Sequence, residues 1–140
     1  MTQAAQPPSG KRARLKRARA SENVFISFAS KDLRACQTIR LRLEGGNAKR
    51  KAKDQISCWM CYKGINPSEK WPEIVAQKLQ KAKAFLLLLS EASIKSQHVK
   101  DEVNIARARW DQGSIQIVPF RLDQSPLDDE FNLRLVPPQG

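Results

Sequence analysis

The sequence predicts an α/β domain built on a parallel sheet, and three observations predict it. Short β-branched or aromatic runs recur at residues 24–28, 56–60, 84–89 and 115–120. Stretches with helical apolar spacing separate them, the alternation expected of strands joined by helical crossovers. The run at 84–89 is apolar at every position, as in strands covered on both faces, whereas half-exposed antiparallel strands alternate.

The elements follow in order. Val24-Phe25-Ile26-Ser27-Phe28 suits a buried first strand. Ser30-Lys31-Asp32 opens a helix whose apolar positions Leu33, Cys36, Ile39, Leu41 and Leu43 end at Gly45-Gly46, a stop signal. Residues 47–54 carry four positive charges and read as a surface loop. Residues 56–60 give the second strand, and Pro72 starts a helix with Ile74, Val75 and Leu79 on its apolar side. After the third strand, Ser90 and Ser93 lie in an irregular stretch, and Val99, Val103, Ile105, Ala106 and Trp110 outline a helix stopped by Gly113. Residues 115–120 form the fourth strand. Beyond Asp123 no fifth strand or last helix is legible, and residues 126–140 read as an irregular acidic, Pro-rich segment.

The chain of 140 residues has room for one small domain, here residues 23–125, with a charged attachment. Its three Cys, six Gly and eight Pro exclude a disulfide-stapled secreted scaffold and a collagen-like repeat. The longest apolar run, 85–89, is far shorter than the roughly 20 residues of a membrane span. No apolar stretch follows the basic residues as a secretory signal requires, so a cytoplasmic location is expected. Net charge is formally +11, and residues 1–23 hold Lys11, Arg12, Arg14, Lys16, Arg17 and Arg19 against Glu22 alone. Residues 1–22 are expected to be a disordered basic tail, either a solvated linker or a non-specific contact for polyanions through residues 11–19. No aromatic residue stands among those charges to stack on bases.

Conventional motifs are sparse. Cys58 and Cys61 form a CxxC pair, but the only other soft ligands are Cys36 and His98, so no metal is expected and core thiols are the favoured reading. No P-loop, GxGxxG or GxSxG pattern occurs. In a parallel α/β sheet the ligand site lies outside the carboxyl ends of the strands, which directs attention to the loops after residues 28, 60, 89 and 120.

Those loops carry a resemblance. Val-Phe-Ile-Ser-Phe at 24–28, the stretch from Trp59 through Gly-Ile-Asn-Pro to Trp71, Phe-Leu-Leu-Leu-Leu-Ser at 85–90, and residues 96–102 stand in order and spacing as in a bacterial-type TIR (Toll and interleukin receptor) domain. The resemblance covers about residues 23–125. It implies a flavodoxin-like parallel sheet with helices on both faces, and for a subset of the family it implies cleavage of the nicotinamide–ribose bond of NAD+ upon self-assembly. In that subset a glutamate on the helix after the third strand is required for turnover, and Glu102 occupies the matching position. NAD+ is then the substrate, and no other cofactor is implied. Phe28, Ala29 and Ser30 match the loop lining the nucleotide pocket. Trp59 and Trp71 bracket the loop at 60–71 used for substrate access and for contact between domains, and His98 stands one helical turn before the glutamate.

Three positions depart from the enzymatic pattern. Cys61 stands where an Asp is usual, Ser68 replaces a glycine, and His98 replaces an aromatic residue. The expected function is an NAD+ nucleosidase activated by self-assembly, in signalling or antiviral defence. The alternative is a non-catalytic module that binds other TIR domains. On residue type alone Glu102 would be a solvent-facing helix residue, as Trp59 and Trp71 would be packing anchors.

Overall fold

The structure, a computed structural model, describes residues 22–62 and 70–138. Among these residues four strands, β1 (Val24–Ser27), β2 (Cys58–Met60), β3 (Ala84–Leu89) and β4 (Gln116–Arg121), form one sheet in the order β2-β1-β3-β4. Every pairing is parallel, with Val24 beside Cys58 and Ala84, and Ala84 beside Gln116. The chain moves outward from β1 to β2 and then crosses to β3 on the other side, so the strand order reverses at β1, where doubly wound sheets keep their ligand crevice.

Among the described residues five α-helices connect and cover the sheet: α1 (Leu33–Gly45), α2 (Trp71–Lys81), α3 (Glu91–Ile94), α4 (Gln97–Asp111) and α5 (Asp129–Arg134). Strand alternation divides the core in two. Phe25, Phe85, Leu87, Leu89 and Ile117 pack with Val75 and Leu79 of α2, Val99, Val103 and Ala106 of α4, and Phe131 of α5. Ile26, Leu86 and Leu88 face the opposite way with Phe28, Cys36 and Cys58, against Leu33, Ile39 and Leu43 of α1. Val118 and Phe120 lie on the same side as Leu86 and Leu88 by register. They remain 39% and 48% exposed at the edge of the sheet.

Local chemistry sets most boundaries. Pro72 sits in the first turn of α2, where its missing N–H removes no bond. Gly113 adopts φ +79° just after α4, a conformation that strains residues bearing a Cβ. The expected helix start at Ser30 is a 3-10 turn over Ser30–Asp32 that leads into α1. Two further 3-10 turns, Gly46–Lys49 and Ala52–Asp54, occupy much of the expected loop, the first beginning at Gly46 of the stop signal.

Two segments expected to be irregular are helical. Ser90 caps α3, its hydroxyl accepting the Ser93 N–H at 3.1 Å while Ser93 Oγ accepts the Ser90 N–H at 2.8 Å. This reciprocal arrangement satisfies two amides that a helix start would leave orphaned. In the segment at 126–140, Asp128 caps α5 by accepting the Phe131 N–H at 2.9 Å. Phe131 is then 1% exposed, with Leu127 and Leu135 packed on the same core. The basic residues at 11–19 and the loop residues 63–69, Ser68 included, lie outside the described residues. Among the described residues no helix is long and apolar enough to cross a membrane.

Candidate functional site

The carboxylate of Glu102 lies at the carboxyl ends of β1 and β2. On α4, Val99, Glu102, Val103 and Ala106 are the buried residues, an i, i+3, i+4, i+7 stripe. Glu102 is therefore 2% exposed and occupies a core position, not the solvent face that its residue type suggests. Ser27, the last residue of β1, belongs to the alternate set of Phe25, and its hydroxyl donates to Glu102 Oε1 at 2.6 Å. Cys61, just past β2, donates from Sγ to Glu102 Oε2 at 2.5 Å. His98, one turn earlier on α4, places Nε2 2.8 Å from the same oxygen and 3.7 Å from Cys61 Sγ.

Three side chains from three segments thus meet one buried carboxylate, which answers the requirement that a buried polar group keep its partners. The thiol of Cys61 is pushed well up from its ordinary value, first by burial and then by the neighbouring Glu102 charge. It is a proton donor here, not a free thiolate nucleophile. His98 is the outer member, with its side chain 46% exposed against 3% for Glu102.

Of the expected site residues, the structure brings His98 and Glu102 together. Phe28 and Ala29 are 2% and 8% exposed after β1. Phe28 packs in the opposite core half, its ring 6.0 Å from that of Tyr62, and Ser30 is exposed. Trp59 and Trp71 pack on each other at 5.6 Å, and Trp59 also meets Phe25 at 5.1 Å. Both tryptophans line a cavity of about 330 Å³ beside β2, together with Glu22, Arg40, Tyr62 and Lys78. Neither Glu102 nor His98 lines it. Trp71 has a buried Nε1–H with no acceptor among the described residues, and Lys78 lies 5.8 Å over the Trp59 ring.

Two members of the carboxylate cluster escape sequence reasoning. Ser27 is the one polar residue inside the run at 24–28, and that interruption was its signal. Cys61 is read in the sequence as a departure from the enzymatic pattern and as half of a CxxC pair, whose other half, Cys58, packs in the opposite core cluster with Cys36, and neither reading marks it as a partner of Glu102. Cys61, His98 and Glu102, whose ligand atoms all lie within 4.8 Å of one another, are instead the residues that converge.

The comparisons with known proteins agree with this architecture. The family model described as TIR domain matches residues 24–137, and the chain belongs to the TIR domain family. That match runs past residue 125 and takes in α5. The fold is similar to the TIR domain of the Toll-related receptor TRR-2 from Hydra magnipapillata, with 16% identity, TM-score 0.61, and coverage of 80% of this chain and 79% of that one. It is also similar to a metazoan TIR-STING receptor from C. gigas, with 21% identity, TM-score 0.59, and coverage of 81% of this chain. The chain spans 36% of that receptor. No curated protein matches the chain in sequence.

Proposed function

We propose that this TIR domain hydrolyses NAD+ at the nicotinamide–ribose bond when it self-assembles, with Glu102 as the residue that meets the ribose. One observation supports this reading above the others. The position at which the family resemblance calls for a glutamate carries a 2% exposed carboxylate at the strand ends, beside the reversal of strand order. A surface glutamate serving only solubility has no reason to be there.

The chemistry asks little else of the protein. The electron pair of the C–N bond leaves with nicotinamide, which departs neutral, so no acid is needed to expel it. The ribose carbon becomes an oxocarbenium ion, which a nearby carboxylate stabilises. Water adds its oxygen to that carbon and loses a proton to the carboxylate or to solvent, giving ADP-ribose. Since His98 is the half-exposed cover of Glu102, its imidazole has to swing aside before a ribose hydroxyl reaches Oε2. Assembly through residues 60–71 would supply that rearrangement, and a signalling or defence role in the cytoplasm follows from the same reading.

A second reading, a non-catalytic module that binds other TIR domains, is favoured by two observations. Both carboxylate oxygens of Glu102 have partners within the chain, and the β4 edge exposes Val118 and Phe120. Nicotinamide release by the full chain, followed as protein concentration rises and beside Glu102→Ala, separates the two. Release that grows faster than concentration and is lost in the variant supports the hydrolase. Intact NAD+ above a demonstrated assembly selects the module.

A further inference from the structure

We propose that Cys61, His98 and Glu102 form a binding site for a zinc-like divalent cation. Their Sγ, Nε2 and carboxylate oxygen lie within 4.8 Å of one another. The Cys61–His98 separation of 3.7 Å is near the spacing of two ligands on a tetrahedral ion with bonds of about 2.0–2.3 Å. The contacts to Glu102, at 2.5 and 2.8 Å, open to that spacing when the carboxylate gives up the two hydrogen bonds at Oε2 and moves by about 1 Å to share an ion.

The donor set chooses the metal. One sulfur, one imidazole nitrogen and one carboxylate oxygen suit zinc, and they do not suit magnesium or calcium, which take oxygen ligands. A thiolate and a carboxylate together also balance the charge of a dication at one buried site, where either anion alone would be costly. His98 and Glu102 reach the ion from successive turns of α4 and Cys61 from the end of β2. Ser27 holds the other oxygen of Glu102 at 2.6 Å, as partners behind metal ligands commonly orient them. Three protein ligands leave a fourth position for water, and His98, the outermost of the three, is half-exposed.

Binding replaces the S–H bond of Cys61 with a sulfur–metal bond and releases that proton to solvent. It also occupies Glu102, so on the hydrolase reading given above, to which this consequence alone is tied, the metal would block the ribose and silence the enzyme.

Cobalt(II), added to the full chain under a reductant that does not bind metals, is the direct probe. The expected result is a one-to-one complex with thiolate-to-cobalt charge-transfer absorption, displaced by zinc. Cys61→Ser abolishes that absorption, Cys58→Ser keeps it, and His98→Gln weakens binding at least about tenfold. His98 is half-exposed, so its variant tests the site even if Cys61→Ser fails to fold. Absence of the band, its persistence in Cys61→Ser, or unchanged affinity in His98→Gln overturns the proposal. The readout is spectroscopic, so it stands or falls separately from NAD+ turnover: metal-free protein that cleaves no NAD+ but binds cobalt with these features sinks only the hydrolase reading.

Discussion

Ser27 and Glu102, 75 positions apart in the chain, share a buried hydrogen bond of 2.6 Å that ties the end of the central strand β1 to the middle of α4. Removing the hydroxyl leaves Glu102 Oε1 without its donor in a site too closed for water to replace it readily. Ser27→Ala should cost about 1–3 kcal/mol, read as a lower urea midpoint at unchanged slope. An unchanged midpoint would mean that the carboxylate finds another donor.

The buried thiols give the fold an alkaline limit. Cys36 and Cys58 are pushed up from 9.0 to about 12, mainly by burial. As pH rises through 9 the unfolded chain loses these protons while the folded chain keeps them. Stability therefore falls with rising pH over that window, by about 1.4 kcal/mol per pH unit for each thiol. Thermal melts across the window check this, and Cys36→Ala should flatten the slope.

The C-terminal helix α5 belongs to the folded body. Phe131 is 1% exposed in the core shared with α4, and Arg107 of α4 donates to the carbonyl of Arg134 at 3.1 Å and to that of Val136. Phe131→Ala should cost about 3–5 kcal/mol, a large share of the stability of a small domain. Asp128→Ala, which removes only the cap, should cost about 1 kcal/mol. Denaturant midpoints of the two variants should rank in that order.

Besides the contact proposed through residues 60–71, the exposed side of β4 offers an apolar surface on which self-association can be tested. Val118 and Phe120 stand out on an edge strand, the arrangement that invites association. Replacing both by Lys should lower the sedimentation coefficient of concentrated protein and leave its unfolding free energy within about 0.5 kcal/mol of wild type. Unaltered sedimentation would place self-association elsewhere.

How much of this was legible in the sequence varied with the range of the interactions involved. β3 is read from its unbroken apolar run, α2 from Pro72, and the end of α4 from Gly113, because each depends on a residue's own preference or its near neighbours. The TIR fold follows from the order of such local patterns. α5 was missed although Leu127, Phe131 and Leu135 stand four residues apart, since the surrounding acids and prolines mask the spacing. Glu102 stands on the same helical stripe as Val99, Val103 and Ala106, so its burial follows from a local spacing that its residue type outweighs. Its partners are not local: Ser27 comes from the end of β1 and Cys61 from just past β2, and pairings between distant segments are not written in any local pattern. Once the fold is known, two of the three departures from the enzymatic pattern, Cys61 and His98, prove to touch the same carboxylate.

The most direct test of the central claim is proton NMR of NAD+ incubated with the full chain at a concentration where it assembles, beside Glu102→Gln, with matched thermal melts to show that both are folded. The account predicts that nicotinamide and ADP-ribose appear in equal amounts with the wild type and do not appear with the variant. Unchanged NAD+ with assembled wild type, or equal turnover by folded Glu102→Gln, would contradict it.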